Sequence, residues 1–313
     1  MWYIIYMQVA IIIGSVFLGL LLLFFLALFL LYIFIFYSPL KGQLSDFNLQ
    51  GSKNFRGYED RIKELIVSLM NKPYEDVYID SFDKLKLHAR LFENKKSHKV
   101  AILCHGYRGT AYRDFSGGAT ELIELGYNVI LIDERAHGKS KGHSITFGVR
   151  ETKDLLSWIE YAKNRFPKDM ELLLVGISMG GHTVLNVADK VDKDVKIIAD
   201  CPYSSPKEIL INSIKSVHLP VWFVYPLLNL SSIIFTHENM NKTSAFKTIN
   251  NSDNKILIIH GDKDSVIPYT NSLALKEAYP DKIRYELFPG ADHGVSYVRD
   301  TERYKKIIRE FLK

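Results

Sequence analysis

One serine lies in a short glycine-rich segment that has the pattern of a catalytic nucleophile. Gly176-Ile-Ser178-Met-Gly180 follows an apolar run of strand length and precedes a run whose apolar residues recur with helical spacing. A serine at such a strand-to-helix turn is held on a sharp bend, with its hydroxyl clear of the backbone and beside a helix N-terminus. The segment therefore predicts that Ser178 attacks a carbonyl carbon in acyl transfer, with a tight turn of small residues as the alternative interpretation.

The same chemistry needs a base for the hydroxyl and an acid that orients the base. Two later apolar runs of strand length, 255–261 and 283–288, are each followed by a polar loop that carries such groups. We predict Asp264 of the first loop as the acid and His293 of the second as the base, which gives the chain order Ser, Asp, His. Asp262 is the competing acid, with a brace for the turn as its alternative role.

The oxyanion of a tetrahedral intermediate needs two aimed N–H donors. We predict the backbone N–H of Met179, directly after the nucleophile, as one donor. The backbone N–H of Tyr107 is predicted as the other, because an apolar strand over 99–104 runs into the turn that contains it. His105, in the same turn, is interpreted as a structural residue and not as a second base.

A further polar loop, Asp133–Gly142, follows another apolar run and completes a set of motifs. Its Asp-x-Arg-x-His-Gly-x-Ser-x-Gly, the earlier His-Gly, the Gly-x-Ser-x-Gly and the later His-Gly-x-x-Asp and Asp-His-Gly together resemble the α/β-hydrolase superfamily. The resemblance covers about residues 71–313. Within the superfamily the chain is similar to membrane-anchored bacterial serine hydrolases related to the Bem46-like and cinnamoyl-esterase-like proteins. Ala136 departs from the pattern, since many relatives carry glycine there.

This resemblance implies the α/β-hydrolase fold, an α/β architecture with a mostly parallel eight-stranded sheet, flanking helices and a small helical cap. It also implies that Ser178, Asp264 and His293 form a catalytic triad, and that the Asp-x-Arg loop is structural support. The region from about 203 to 250 departs from strand–helix alternation and is predicted to be the cap. Its apolar and aromatic segment 217–230 favours a pocket for an apolar acyl or aryl group, with packing on the core as the alternative.

The N-terminal segment has the composition of a membrane anchor. Before Lys41 there is no charged side chain, and residues 9–37 are almost wholly apolar. About 20 residues suffice to cross a bilayer, and aromatic side chains stand at both ends of this longer run, as interfacial anchors do. We predict an uncleaved single-pass anchor in the cell membrane over 1–37, with a cleaved signal peptide as the alternative. The few basic residues after the span favour a cytoplasmic catalytic domain.

Charge and cysteine content argue against several other classes of function. The net charge of +5 comes from interspersed residues of both signs, and no basic cluster suggests a nucleic-acid partner. No group of His, Cys, Asp and Glu has convincing metal-ligand spacing, so we predict neither a metal nor a cofactor. In the strand order that the resemblance implies, the nucleophile strand separates Cys104 from Cys201. Two strand spacings are about 9.5 Å, which exceeds disulfide reach, so both are predicted to be buried free thiols.

These patterns together predict three parts and one activity. The parts are an anchor over 1–37, a polar connector with a short helix over 38–70, and a hydrolase domain over 71–313. The activity is hydrolysis of carboxylic esters, with small-molecule and lipid esters as candidate substrates and the membrane as the partner of the N-terminal helix. Two alternatives stay open: a peptidase, amidase or protein deacylase with the same triad, and a non-catalytic binding module on the fold.

Overall fold

The residues that the sequence singles out lie along one edge of a central sheet. The structure is a computed structural model, and it describes residues 2–38, 46–47, 49 and 55–313. The strands, in chain order, are β1 (Glu75–Asp80), β2 (Lys86–Phe92), β3 (Lys99–Cys104), β4 (Asn128–Asp133), β5 (Glu171–Ile177), β6 (Lys196–Asp200), β7 (Ile256–Gly261) and β8 (Ile283–Phe288).

The eight strands lie side by side in the order β1-β2-β4-β3-β5-β6-β7-β8. β2 runs antiparallel to both of its neighbours, and every other adjacent pair is parallel. The carboxyl ends of β3, β5, β7 and β8 therefore meet at one edge, which is where open α/β sheets form their sites. The predicted α/β-hydrolase fold, with its mostly parallel eight-stranded sheet, is confirmed.

Burial on both faces explains why the central strands read as continuous apolar runs. In β3, Val100 and Ile102 face the core on one side of the sheet, and Ala101 and Leu103 face the core on the other side. Successive side chains of a strand point to opposite faces. A strand that is covered on both faces must therefore be apolar at nearly every position.

Helices cover both faces of the sheet and its carboxyl edge. They are α1 (Trp2–Ile35), α2 (Glu59–Met70), α3 (Ala111–Glu124), α4 (Val149–Arg165), α5 (Met179–Leu185), α6 (Pro206–Ser216), α7 (Val221–Thr236), α8 (Ala245–Asn250), α9 (Thr270–Ala278), α10 (Ser296–Arg299) and α11 (Thr301–Leu312). The apolar sides of α2, α3 and α11 pack on one face of the sheet, and those of α4, α5, α8 and α9 pack on the other.

The ranges predicted as the connector and the cap contain several of these helices. Of the connector, residues 39–45, 48 and 50–54 lie outside the described residues, and its predicted short helix is α2. Of the predicted cap range 203–250, α6 and α7 lie over the carboxyl edge of the sheet, beside the candidate site. α8 packs with α5 on the sheet instead, because its Ala245 and Ile249 are fully buried in the core.

α1 is long and apolar enough to cross a membrane. Its side chains are exposed over most of residues 2–27, and burial begins at Leu28. Just beyond the helix, Phe36 is fully buried and its ring lies edge-on to that of Phe147, with 5.8 Å between the ring centroids. Backbone hydrogen bonds and a β-bridge also join residues 36–38 to residues 143–145. The end of the apolar helix is thus part of the packing of the domain.

Candidate active site

Ser178 is the single residue between β5 and α5. Its φ of 56° lies in the left-handed region, a conformation that costs a non-glycine residue on the order of 1–3 kcal/mol and is held by its surroundings. The flanking glycines allow this bend. A Cβ at Gly176 would collide with the carbonyl of Gly180, and a Cβ at Gly180 would collide with the carbonyl of Cys104. Close backbone packing therefore requires the Gly-x-Ser-x-Gly pattern.

The structure brings the three predicted side chains into a hydrogen-bonded series. Ser178 Oγ lies 3.0 Å from His293 Nε2, and His293 Nδ1 lies 2.7 Å from Asp264 Oδ2. If Nδ1 donates to the carboxylate, Nε2 is left as the acceptor for the serine proton. This geometry is the one that acyl transfer to a serine needs, although the catalytic roles of the three residues stay predictions.

Asp264 ends the series, and its side chain is fully buried. Its Oδ1 accepts hydrogen bonds from the backbone N–H groups of Val266 and Ile267 at 2.9 and 2.7 Å, and its Oδ2 also lies 3.1 Å from His260 Nε2. Burial alone would raise the pKa of Asp264. Hydrogen bonds from His260 and His293 outweigh burial and hold that pKa well below its usual range, so the carboxylate is charged at neutral pH.

The other acids near the site have different partners. Asp262, the competing acid, accepts a hydrogen bond from the backbone N–H of Gly290 at 2.6 Å, which fits its alternative role as a turn brace. Asp292 accepts from the backbone N–H and the hydroxyl of Ser265, both at 2.8 Å. These contacts join the loops after β7 and β8, and they favour Asp264 as the acid of the series.

The carboxylate of Asp264 also changes the pKa of the His293 imidazole. Burial would lower the pKa of His293, but the hydrogen bond to Asp264 and the charge of that residue outweigh burial. The pKa of His293 is therefore raised from its ordinary value of 6.5. An imidazole that gains a proton this readily is suited to take one from a hydroxyl.

The two cysteines are free and buried, as predicted. Strand β5 lies between β3, which ends at Cys104, and β6, which Cys201 directly follows. Cys201 Sγ lies 4.0 Å from His293 Nε2, and ligand atoms of Cys201, Asp264 and His293 lie within 4.8 Å of one another. Burial raises the pKa of the Cys201 thiol well above its usual range, which disfavours the thiolate that a metal would need. Asp264 Oδ2 already faces two imidazoles. This donor set suits a metal poorly, and the absence of a metal or cofactor stays a prediction.

The two predicted oxyanion donors lie in the turns after β5 and β3. Met179 is the first residue of α5, so its N–H has no acceptor within the helix. Tyr107 lines the same cavity as Ser178. In the same turn, the N–H of Gly106 donates instead to Asp114 Oδ2 at 2.8 Å. Tyr107 and Met179 therefore keep their predicted roles.

Two buried histidines brace the turn after β3. His105 Nδ1 donates to the carbonyl of Gly106 at 2.8 Å, and its Nε2 accepts from the N–H of Glu134 at 3.0 Å. His137 Nε2 accepts from the N–H of Arg108 at 3.0 Å. Burial lowers the pKa of both histidines, to about 3 for His137. Both rings are thus neutral and engaged, which fits a structural role for His105.

The loop after β4 has structural partners. Asp133 accepts a hydrogen bond from Arg90 at 3.0 Å, and buried Arg135 donates two hydrogen bonds of 2.6 Å to Asp154. Ala136, the position at which many relatives carry glycine, has a φ of 62°. Glycine adopts this conformation without steric cost. The positive φ therefore explains why many relatives carry glycine at this position.

A cavity of about 760 Å³ lies over Ser178 and His293, within the size range of small-molecule sites. Its walls come from α1, α6, α7 and the turn after β3. Most of the lining is apolar, and its members include Leu31, Ile35, Leu210, Ile214, Val217 and Leu228. The cavity is therefore suited to an apolar group attached to the reacting carbonyl.

Two features of this site were not predicted from the sequence. The first is His260, whose imidazole supports Asp264; its signal is a histidine at the end of an otherwise apolar strand. The second is the wall that α1 contributes through Leu31, Phe34 and Ile35. Because the whole helix is apolar, no spacing in its sequence distinguishes these residues from their neighbours.

The chain is similar to several known proteins. A family model described as serine aminopeptidase, S33, matches residues 95–222. The uncharacterized protein YqkD of Bacillus subtilis is 27% identical over 214 residues, which cover 67% of this chain and 70% of that protein.

Solved structures share the architecture. The esterase Pf2001 of Pyrococcus furiosus is 26% identical, with a TM-score of 0.64, and the match covers 80% of this chain and 92% of that chain. Est1E of Butyrivibrio proteoclasticus, solved with ferulic acid bound, is similar in fold, with 22% identity, a TM-score of 0.59 and coverage of 75% of this chain and 97% of that chain. The sheet order, the family match and these structures agree with the resemblance that the motifs indicate: the chain belongs to the α/β-hydrolase superfamily, and its neighbours support a hydrolase.

Proposed function

We propose that the chain is a membrane-anchored serine hydrolase that cleaves carboxylic esters. The observation that carries the proposal is the series Ser178–His293–Asp264, with separations of 3.0 and 2.7 Å between the hydrogen-bonding atoms. Ser178 also lies at the N-terminus of α5, which favours negative charge developing beside it. The apolar cavity over the serine and the likeness to esterase Pf2001 support an ester as the substrate.

The mechanism follows from the order of the groups. His293 takes the Ser178 proton while the hydroxyl attacks the ester carbonyl, and the N–H groups of Tyr107 and Met179 stabilise the oxyanion. His293 then gives this proton to the leaving alkoxide. In the second half, His293 activates a water that releases the acyl group. Asp264 holds the Nδ1–H tautomer and stabilises the imidazolium in both halves.

The lining of the cavity favours esters over peptides with a free amino terminus. An aminopeptidase needs a carboxylate that can bind the substrate ammonium. Among the described lining residues the one acidic side chain is Asp114, which is already bonded to Gly106 N–H and to Arg113. The described lining of this cavity therefore supports an ester as the substrate more than a peptide with a free amino terminus.

The membrane anchor is the proposed role of α1. A helix of 34 residues is about 51 Å long, and a hydrocarbon core of about 30 Å leaves room for its last turns to contact the domain. Support for an uncleaved anchor comes from Leu28 and Phe36, which are buried in the domain and would be lost with a cleaved signal peptide. The cytoplasmic side stays part of the proposal, and a fluorophosphonate that cannot cross membranes tests it by labelling intact and permeabilised cells.

Labelling of the full chain with a fluorophosphonate, followed by peptide mapping, tests the proposed nucleophile. We expect one adduct, on Ser178, and parallel hydrolysis of p-nitrophenyl butyrate that the probe abolishes. An adduct on another serine would refute the nucleophile. A folded chain that neither reacts with the probe nor cleaves the ester would support the alternative of a binding module.

The rate of ester hydrolysis should depend on the protonation of His293. Because the pKa of His293 is raised above 6.5 and only the neutral imidazole accepts the serine proton, kcat/KM should be full at alkaline pH. It should fall as the pH drops through a midpoint above 6.5. A pH profile with p-nitrophenyl butyrate measures this midpoint, and circular dichroism over the same range excludes unfolding. An acid midpoint below 6.5 would contradict the assigned base.

A further inference from the structure

We propose that α1 forms one wall of the acyl pocket and that the pocket opens into the bilayer, so that the substrate is a membrane-resident long-chain ester. This inference rests on the proposed ester hydrolysis at Ser178. It adds the substrate class and the route by which the acyl chain reaches the serine. Four features of the structure carry it.

The first feature is the composition of the cavity wall. Leu31, Phe34 and Ile35, from the last two turns of α1, line the cavity that also contains Ser178 and His293. A helix that served only as a tether would not need to line the cavity of the reacting groups. Here the segment that crosses the membrane continues directly into the substrate pocket.

The second feature is that this wall is fixed to the catalytic turn. The C-terminal carbonyls of a helix lack partners within the helix, and here the turn after β3 supplies them. Tyr107 donates its hydroxyl to the carbonyl of Ile35 at 2.8 Å. Arg108 donates to the carbonyls of Phe34 and Tyr37 at 2.8 and 3.0 Å. The residue whose N–H is the proposed oxyanion donor thus also holds the anchor.

The third feature is the direction of α7 along α1. Ser231 donates to the carbonyl of Leu28 at 2.8 Å, and the ring of Phe235 lies 5.1 Å from that of Tyr32. Both helices advance by four residues between these contacts, so they run in the same direction. At 1.5 Å per residue, Trp222 lies about 13 Å from Ser231 toward the membrane-spanning part of α1.

The fourth feature is an exposed apolar rim at this end of the cap. Val217, Leu219, Trp222 and Phe223 are 62%, 50%, 81% and 54% exposed, and Val217 and Leu219 also line the cavity. Contiguous exposed apolar groups mark an interaction surface. Because this rim continues the exposed apolar surface of α1, its partner is the lipid bilayer, and tryptophan is typical of the membrane interface. The mouth of the cavity therefore lies at the level of the acyl chains.

A matched pair of substitutions in α1 tests the wall. The full chain is placed in phosphatidylcholine vesicles with p-nitrophenyl palmitate or p-nitrophenyl butyrate as substrate. Leu31→Trp should lower kcat/KM for the palmitate ester by at least about tenfold, because the larger indole occupies space that the long acyl chain needs and displaces the reacting carbonyl. The ratio of the palmitate rate to the butyrate rate should fall, because the shorter acyl chain needs less of the cavity, and circular dichroism reports that the variant is folded. Leu30→Trp, on the adjacent residue that is exposed and outside the cavity lining, should change neither rate.

The outcomes separate this inference from the proposed activity. Equal effects of Leu31→Trp and Leu30→Trp on the palmitate rate, in variants that are folded and with butyrate hydrolysis by the wild-type chain intact, would overturn the acyl wall and leave the esterase in place. A wild-type chain that cleaves neither ester would remove the activity itself.

Fluorescence of Trp222 tests the position of the rim. In a Trp2→Phe background the remaining tryptophans are Trp222 and the fully buried Trp158. Phosphatidylcholine with brominated acyl chains should quench most of the Trp222 emission, and Trp222→Phe should remove the quenchable component. If aqueous iodide quenched the Trp222 emission and brominated lipid did not, the proposal that the cavity mouth faces the bilayer would be overturned.

Discussion

Replacing Ser178 with alanine should lower kcat for ester hydrolysis by about 10⁶-fold. The hydroxyl is the attacking atom, and it lies 3.0 Å from His293 Nε2, closer than the buried Cys201 thiol at 4.0 Å. The residual rate would come from binding and from the oxyanion donors, which the substitution leaves in place. Because alanine keeps the Cβ, the packing of the turn between β5 and α5 should persist. The measurement is kcat with p-nitrophenyl butyrate, together with loss of fluorophosphonate labelling and an unchanged circular dichroism spectrum.

Ser213→Ala is the matched control for this change. Ser213 also lines the cavity, but its hydroxyl donates to the carbonyl of Ile209 within α6. Its removal should change kcat by less than about threefold, as expected for a helical serine that bonds only its own backbone. If the Ser178→Ala variant had the same kcat as the Ser213→Ala variant, covalent catalysis by Ser178 would be refuted.

The strands were predictable because buried strands appear in the sequence as short runs of apolar residues. β5, β7 and β8 are short apolar runs bounded by polar loops, and the structure begins and ends them within two residues of the predicted positions. The order of the strands in the sheet is a different matter. Spacing and composition do not specify which strand lies beside which, and that part of the prediction came from the resemblance to a known fold.

The site was predictable to the extent that its groups stand at strand ends. Ser178, Asp264 and His293 each follow an apolar run, so a parallel sheet brings them to one edge. The role of His260 could not be read in the same way, because a buried histidine has many uses and its contact with Asp264 depends on the bend of the loop between them. The wall from α1 depends on which face of a uniformly apolar helix meets the cap, and only tertiary packing decides that.

Replacing Asp264 with asparagine should lower kcat by about 10⁴-fold. Both carboxylate oxygens accept hydrogen bonds, whereas an amide has one acceptor oxygen. If the amide NH₂ faces His293, the imidazole must carry its proton on Nε2, where it cannot accept the proton of Ser178. If the amide turns round, its NH₂ opposes the N–H groups of Val266 and Ile267, and the loop loses two hydrogen bonds. Either orientation also removes the negative charge that stabilises the imidazolium.

Asp262→Asn supplies the comparison that decides between the two acids. Asp262 accepts one hydrogen bond, from the N–H of Gly290, and an asparagine oxygen can accept the same bond. We therefore expect kcat to stay within about threefold of the unchanged enzyme, since the exchange preserves the acceptor. Both variants are compared by kcat for p-nitrophenyl butyrate and by the rate of fluorophosphonate labelling. If Asp262→Asn caused the large loss and Asp264→Asn did not, the acid would be Asp262, and His293 would have to turn toward it during the reaction.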